Sequence, residues 1–257
     1  AEKEQARALV RRVTDYLMEG GYNLIDPIDG KHTRWGVWAP DRLNGDMDWL
    51  AERNINSLEL LSYLKAAHHI TGDAKYDQAY RELIEVHGYA EACRAPRRTE
   101  PAMFTHIDDD LLVLAFPALI LYEDDPALKA IYREGLRQWF GVIEHEYSPL
   151  FSFMAGWLGI GDIHAEACVN FLRDTPVDLV EWTVDNTWRE DVRLVRRPEL
   201  EHWQLDRLLP PSERGVMRWD KNPWSAVRGA GGHIESSGVY YLLPYWLGRY
   251  AGYIAAP

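Results

Sequence analysis

The sequence predicts an all-α fold, because three helix–turn–helix signals recur at a spacing of about fifty residues. In each signal, one apolar helix ends at Gly or at a short polar stretch, and the next begins at Asp or Thr, which favour N-cap positions. Pro follows the cap in the second and third turns, where it suits the first helical residue. The turns are Thr71-Gly72-Asp73, Glu123-Asp124-Asp125-Pro126 and Arg173-Asp174-Thr175-Pro176. Because stacked hairpins build solenoids or closed rings, we expect an incomplete or small α/α toroid, formed by a single domain over residues 1–257.

Apolar residues at helical spacing define the individual helices. We expect helices over residues 2–19, 57–71, 73–91, 108–123, 126–146, 149–158, 162–173, 176–185 and 236–254. Two long segments, residues 20–55 and 187–235, carry no helical pattern and are dense in polar residues, Gly and Pro. They also hold most of the eleven Trp residues, whereas disordered segments are poor in aromatics. We therefore predict two long, ordered, Trp-rich loops that line a cleft.

The composition limits the classes of function. The chain has 257 residues, of which 47% are hydrophobic, so it can bury a large core. Its net charge of −12 argues against broad binding to nucleic acid or to anionic membranes, since both need a basic face. No apolar run reaches the length of about 18 residues that a membrane-spanning helix needs. We expect no nucleic-acid partner and no membrane span, and the sequence leaves the oligomeric state open.

The two cysteines do not indicate a metal site. Cys93 and Cys168 lack the spacing of zinc ligands, so we expect no structural zinc and no required cofactor. Separate buried thiols are a better expectation for them than a disulfide. No secretory signal is visible. The compartment is left open, and a periplasmic or secreted location is slightly favoured over the cytoplasm.

The sharpest polar cluster is the run of three carboxylates Asp108, Asp109 and Asp110, which follows His106. It precedes an apolar stretch and so lies at a predicted helix N-terminus, where one Asp is enough for capping and for a favourable interaction with the helix dipole. Three adjacent carboxylates exceed that need and repel one another. The run therefore predicts a catalytic acid or base, or oxygen ligands for calcium or magnesium, with capping as the alternative.

Further candidates lie in the loops and at helix ends. Trp35 and Trp38 flank Gly36 and could form a stacking platform for a sugar ring. Glu59 and Glu235 are candidates for a second catalytic carboxylate. Four more residues are candidates for binding or orienting a substrate: His106, Asp185, Arg228 and His233. Structural roles as caps, core residues or solvated surface groups are the alternative for each of them.

The stretch from Ser62 to Tyr80, which includes Thr71-Gly72-Asp73-x-x-Tyr76, resembles the helical hairpins of α/α toroid carbohydrate-active enzymes. Those enzymes include glycoside hydrolases, polysaccharide lyases and sugar epimerases. The resemblance is good over residues 56–91 and looser over residues 107–185. The chain has fewer predicted helices than a full toroid, so the resemblance implies a partial ring or a smaller barrel.

On this basis the sequence favours an enzyme that acts on a saccharide, with a glycoside hydrolase as the first expectation. A hydrolase needs two carboxylates about 5–10 Å apart, and one of Asp108 to Asp110 with Glu59, Asp185 or Glu235 could supply them. A polysaccharide lyase or epimerase is the alternative, with His106 or His233 as base and Arg228 to neutralise a uronate. Two other classes remain open: an isoprenoid cyclase, which also uses aromatic-lined helical barrels with Asp clusters, and a non-catalytic glycan-binding or scaffold module.

Overall fold

The structure, a computed structural model, describes residues 2–94, 106–196, 203–215, 218 and 221–255. It is 58% helix with little strand, so the all-α expectation is confirmed. The described residues form ten α-helices: α1 (Glu2–Glu19), α2 (Pro40–Gly45), α3 (Arg53–Thr71), α4 (Ala74–Glu85), α5 (Tyr89–Ala92), α6 (Ile107–Leu121), α7 (Pro126–Ile143), α8 (Pro149–Trp157), α9 (Ala165–Asp174) and α10 (Val239–Tyr250). Six short strands pair into three two-stranded antiparallel ribbons: β1 (Asn23–Ile25) with β2 (His32–Val37), β3 (Val184–Asp185) with β6 (Val227–Arg228), and β4 (Leu194–Val195) with β5 (Gln204–Leu205).

The described residues divide into two compact units. Residues 2–94 and 114–138 form unit 1, and residues 106–113 together with the described residues from 139 onward form unit 2. Helices α6 and α7 each contribute residues to both units. The single-domain organisation stays a prediction.

Unit 1 is organised around α3, which packs against α1, α4 and α5. Leu58, Leu61 and Leu64 on this helix are fully buried, and so are Tyr76 and Tyr80 on α4. These five residues recur at the spacing that places side chains on one helical face, so the pattern that predicted the hairpin also identified its core.

The first two predicted turns are confirmed. Gly72 ends α3 in the left-handed conformation, with a φ of 76°, and α4 begins after Asp73. At the second turn, Asp125 Oδ1 accepts hydrogen bonds from the backbone N–H groups of Ala127 and Leu128, and Pro126 is the first residue of α7. The carboxylate of Asp73 instead binds Arg11 of α1, so this residue connects two helices rather than capping one.

The second half of the third hairpin was wrongly predicted as a helix. Helix α9 ends at Asp174 as expected, but residues 176–185 form turns and the short strand β3. The backbone N–H of Glu181 bonds to Ile234 O, and that of Asn186 bonds to Ala226 O, so this segment pairs with residues 226–236. Its sequence is rich in β-branched Val and Thr, which favour extended backbone over helix. Asp185 and Glu181 therefore do not share a helical face.

The first Trp-rich segment, residues 20–55, is more regular than expected. It contains the β1–β2 ribbon, α2 and a 3-10 helix at Met47–Glu52, and α3 begins at Arg53 rather than near Ser57. The second segment, residues 187–235, holds β4, β5, β6 and a 3-10 helix at Pro211–Glu213 among turns. Its residues 197–202, 216–217 and 219–220 lie outside the described part of the chain.

Unit 2 has its core on α8, which packs against α9 and α10. Phe151 and Phe153 of α8 are buried, and Phe151 meets the Trp139 ring edge-on with centroids 5.6 Å apart. Gly248 of α10 lies so close to the Phe153 ring that a Cβ there would approach it to 2.7 Å. The two helices therefore depend on this glycine for their close contact. Cys93 in unit 1 and Cys168 in unit 2 are both free and buried, as expected.

Candidate active site

A pocket of about 260 Å³ of empty space lies in unit 2, where the first residues of α6 and α8 meet the turn that follows the 3-10 helix at Pro211–Glu213. One member of its lining, His106, was predicted from the sequence, and most of the others are aromatic or basic. The lining residues are His106, Glu146, Ser148, Phe151, Phe171, Arg214, Arg218, Lys221 and Pro223.

On the wall of this pocket, His106 and Glu146 form a buried pair. The Nε2 atom of His106 lies 2.7 Å from Oε2 and 2.9 Å from Oε1 of Glu146, and both side chains are almost inaccessible to solvent. Trp224 Nε1 donates a third hydrogen bond to Oε1 of the same carboxylate, at 3.0 Å. A carboxylate bound to one ring nitrogen fixes the orientation of an imidazole and stabilises its protonated form. Glu146 therefore fixes the orientation of the His106 ring on the pocket wall.

Arg214 is the most unusual residue of the pocket. Its side chain is 3% exposed, and its guanidinium lies over the Phe171 ring at 4.7 Å from the centroid. Its Nε and Nη1 atoms are buried and have no hydrogen-bond partner among the described residues. Burial, with the positive charge of Arg228 acting in the same direction, lowers the pKa of Arg214 to about 10. The group is therefore still a cation at neutral pH.

A larger pocket of about 810 Å³ adjoins the first, since both are lined by Glu146, Phe171 and Arg214. Its other lining residues come from α9 and from the chain around the 3-10 helix that precedes Arg214: Tyr147, Ala167, Asn170, Asp174, Arg207, Leu208, Leu209, Pro210 and Pro211. These two figures include open solvent, and the cavity volumes themselves are about 400 Å³ for the larger pocket and about 20 Å³ for the smaller one. Pockets that hold small ligands usually measure about 300–1,000 Å³. The larger pocket therefore offers space for a ligand with a polar group near Arg214.

The three-carboxylate run lies in the first turn of α6, as predicted, next to His106. Asp109 is 1% exposed, and its Oδ1 accepts a hydrogen bond of 2.7 Å from Trp139 Nε1, which ties it to the core of unit 2. Asp108 and Asp110 are half-buried. Among the described lining residues of the 260 Å³ pocket, this segment contributes His106 and none of the three Asp side chains.

In unit 1 the structure joins Glu59 and Trp38, which the sequence named as separate candidates. Trp38 Nε1 donates to Glu59 Oε2 at 2.8 Å, and Tyr63 OH donates to Glu59 Oε1 at 3.1 Å. Burial, and then the charge of Glu59, raises the pKa of Tyr63 far above its usual value. Trp35 is 69% exposed and has the Arg34 guanidinium over its ring. The expected two-Trp platform is thus divided, because Trp38 turns towards Glu59 and Trp35 faces solvent.

The remaining candidates lie on or beside the β3–β6 ribbon of unit 2. Its register pairs Val184 with Arg228 and Asp185 with Val227, so Asp185 and Arg228 lie on adjacent strands. Asp185 is exposed, and hydrogen bonds from Thr187 lower the pKa of its carboxyl group. His233 is exposed, and so is Glu235, which pairs with Val180 in an isolated bridge.

The glycines before His233 allow the backbone to pass close to Trp182. Gly229 and Gly232 have positive φ angles, and a Cβ on either would overlap Trp182. The backbone therefore needs glycine at these positions in order to pass Trp182.

Sequence reasoning missed Glu146, Arg214 and Ser148. Glu146 follows α7 in a short 3-10 helix and belongs to no recognisable motif. Arg214 lies in a loop whose Pro residues indicated only irregular structure. A lone arginine in a loop gives no periodic signal, because its burial depends on segments that are distant in sequence. No feature of the sequence identifies Arg214 as a pocket residue.

Among the described residues, no group of three or more His, Cys, Asp or Glu side chains is placed to hold a metal ion, and no helix is long and apolar enough to cross a bilayer. Comparison of the chain with protein-family models, with curated proteins and with solved structures found no match.

Proposed function

We propose that the chain is an enzyme that acts on a saccharide by general acid–base chemistry in the pockets of unit 2. The observation that carries this proposal is the buried His106–Glu146 pair on the pocket wall. His106 is the proton-transferring group, and Glu146 is the positioning residue that orients the imidazole and stabilises its protonated form. Trp224 holds the Glu146 carboxylate in place.

The saccharide assignment and the toroid arrangement belong to this proposal. They are supported by the resemblance of residues 56–91 to the hairpins of α/α toroid carbohydrate-active enzymes. The larger pocket, with a cavity volume of about 400 Å³, is within the range of pockets that hold small ligands such as a sugar. We infer that the helical hairpins form a small or incomplete α/α toroid. One fold can support many different reactions, so the type of reaction depends on the side chains of the pocket.

A lyase or an epimerase is the reaction that this geometry fits best. Both begin when a base removes a proton from a sugar carbon, and an imidazole held by a carboxylate is suited to that step. A hydrolase would instead use two carboxylates, an acid and a base or nucleophile. Two of the candidate carboxylates are already engaged, since Asp109 binds Trp139 and Glu59 binds Trp38 and Tyr63.

A glycoside hydrolase is the second candidate. One observation favours it: Asp108 and Asp110 are half-buried in the same helical turn that follows His106. Either could act as one of the two carboxylates, with Asp185 or Glu235 as its partner.

The test is a screen of the full chain against neutral and acidic polysaccharides, with two readouts. New reducing ends together with the ultraviolet absorbance of an unsaturated sugar would identify a lyase. Reducing ends alone would identify a hydrolase, and inversion at one sugar carbon without cleavage would identify an epimerase. Binding of glycans with no turnover of any of them would overturn the proposal in favour of a non-catalytic module.

The residue assignment is tested by His106→Gln, for which we expect kcat to fall about 10²- to 10⁴-fold, the usual contribution of a general acid or base. The matched control is His145→Gln, because His145 adjoins Glu146 in sequence but is exposed and lies outside both pocket linings. We expect this control to keep full activity. If the two variants are equally active and circular dichroism shows that both are folded, His106 takes no part in the mechanism.

A further inference from the structure

Burial of the Arg214 guanidinium carries a cost in free energy. A guanidinium removed from water is unfavourable unless hydrogen bonds and opposite charges replace its hydration. Here Nε and Nη1 are buried with no hydrogen-bond partner among the described residues. The nearby carboxylates of Glu146 and Asp174 act on Arg214 through their charge. Glu146 is hydrogen-bonded to His106 and Trp224, and Asp174 is hydrogen-bonded to Ser212. The empty space of both pockets adjoins this unsatisfied cation.

A second unsatisfied donor lines the smaller pocket. Ser148 is the N-cap residue of α8, yet its Oγ makes no capping hydrogen bond. This oxygen is also buried without a partner among the described residues. The first backbone N–H groups of any α-helix lack intrahelical acceptors and attract negative charge. The hydroxyl of Ser148 and the start of α8 therefore add donors on the wall that also carries Arg214.

The charge of the pocket lining differs in sign from that of the whole chain. Arg214, Arg218 and Lys221 contribute three positive charges, and Glu146 is the one carboxylate among the described lining residues. The chain as a whole carries a net charge of −12. Arg218 also pairs with Glu181 at 3.5 Å, so the unsatisfied donors of this lining are those of Arg214 and Ser148. A local positive site in an acidic protein, with unsatisfied donors at these two residues, is the arrangement expected for an anion.

We propose that the space beside Arg214, which the two pockets share, binds an oxyanion, a carboxylate or a phosphate or sulfate group, with Arg214 as its principal ligand and with Ser148 and the start of α8 as further donors. This inference extends the proposed function and, in its choice of substrate, rests on it. The oxyanion is the acidic substituent of the saccharide, and the sugar ring occupies the adjoining 810 Å³ pocket. The substrate class is thus an acidic saccharide. A carboxylate at Arg214 would also suit the lyase or epimerase reaction, because removal of a proton beside a carboxylate places negative charge on its oxygens.

Binding is tested on the full chain by calorimetry and by thermal shift, with sodium phosphate, sulfate and glucuronate as probes and sodium chloride at equal ionic strength as reference. We expect the three oxyanions, but not chloride, to raise the melting temperature in proportion to RT ln(1 + [L]/Kd). Glucose 6-phosphate and glucuronate, compared with glucose, distinguish a phosphate from a carboxylate and measure what the sugar ring adds. No preference for oxyanions over chloride would overturn the inference.

The variant Arg214→Gln separates a ligand site from a structural arginine. We expect it to abolish the shift caused by oxyanions and to leave the anion-free melting temperature unchanged or raised, because it removes a buried charge that lacks hydrogen bonds. Arg193→Gln is the matched control, since Arg193 is an exposed arginine of unit 2 outside both pockets, and it should keep the full shift. A large fall in the anion-free melting temperature of Arg214→Gln would contradict the inference.

A second variant tests the site without replacing a buried residue. Lys221→Gln changes an exposed side chain of the lining, and we expect it to weaken oxyanion binding several-fold without loss of stability. Turnover of neutral saccharides with no oxyanion binding would overturn this inference and leave the proposed function standing. Arg214-dependent binding of oxyanions with no turnover of any saccharide would overturn the proposed function and leave this inference standing.

Discussion

At the scale of single residues, Lys65 and Glu123 form a buried ion pair in unit 1. The Lys65 Nζ atom lies 2.8 Å from Glu123 Oε2, and both side chains are buried. Tyr80 donates to the same carboxylate oxygen and also contacts the Tyr132 hydroxyl, while the backbone N–H groups of Asp124 and Asp125 bond to Oε1. The network joins α3 and α4 to the turn between α6 and α7, and its complete hydrogen bonding compensates for burial of the charges.

Loss of one partner from this network should be severe. Lys65→Met leaves the Glu123 carboxylate buried without its cation, and we expect the free energy of unfolding to fall by about 3–5 kcal/mol. The measurement is chemical denaturation at neutral pH. Lys75→Met is the control, because Lys75 pairs with Asp15 near the surface, where solvent screening leaves such a pair with little effect on stability. Similar losses for the two variants would contradict the role given to the network.

The same carboxylate predicts a dependence of stability on pH. Burial alone would raise the pKa of Glu123, but hydrogen bonds from Lys65, Tyr80 and the Asp125 backbone outweigh it and lower the pKa below its usual value of 4.5. The unfolded chain therefore binds this proton more tightly, so the stabilisation is present above about pH 4.5 and is lost as the pH falls through the folded-state pKa. We expect the difference in stability between the wild type and Glu123→Gln to narrow below pH 4.5. A difference that stays constant from pH 7 to pH 3 would contradict this.

At the scale of secondary-structure elements, caps and turns follow directly from short sequence signals. Asp125 caps α7 with two hydrogen bonds to backbone N–H groups. We expect Asp125→Ala to lower the free energy of unfolding by about 1 kcal/mol. Asp124→Ala is the control, since Asp124 is exposed and takes part in the turn through its backbone N–H. It should change stability by less than about 0.5 kcal/mol, as most surface substitutions do. If Asp125→Ala and Asp124→Ala lower the free energy of unfolding equally, Asp125 does not stabilise α7 by capping it.

The element that sequence reasoning placed wrongly shows where local signals are insufficient. Thr175 and Pro176 carry the same cap-and-Pro signal as Asp125 and Pro126, yet only the second pair begins a helix. After Pro176 the chain finds hydrogen-bond partners in residues 226–236, about fifty positions away. Tertiary pairing therefore overrides the helix-start signal at this turn.

At the scale of the whole molecule, the net charge of −12 sets the long-range interactions. Double-stranded DNA is itself a dense line of negative charge, and non-specific binding to it needs a basic surface. We expect no binding of a short DNA duplex at physiological salt, measured by fluorescence anisotropy, even though the pocket at Arg214 accepts a single oxyanion. Salt-dependent micromolar binding to the duplex would contradict this expectation. It would show that the protein has a basic surface despite its net negative charge.

The sequence by itself determined most of the helices, the first two hairpin turns and the core of the first hairpin. Each of these depends on residues within a few turns of one another, such as Leu58, Leu61 and Leu64, or Gly72 and Asp125. It also identified His106 as a candidate, because polar residues at a helix start stand out against an apolar run. Glu59 and Trp38 were found individually, although nothing in the sequence joined them.

Only the tertiary structure decided which residues share a pocket. Glu146 lies 40 positions after His106, Arg214 lies 68 positions after Glu146, and each belongs to a different stretch of chain. Tertiary folding also buried Arg214 and placed Asp109 against Trp139, which donates a hydrogen bond to it. Local propensity acts over a few residues, whereas burial and hydrogen-bond partners depend on contacts between distant segments. The helices could therefore be predicted from short patterns, and the site could not.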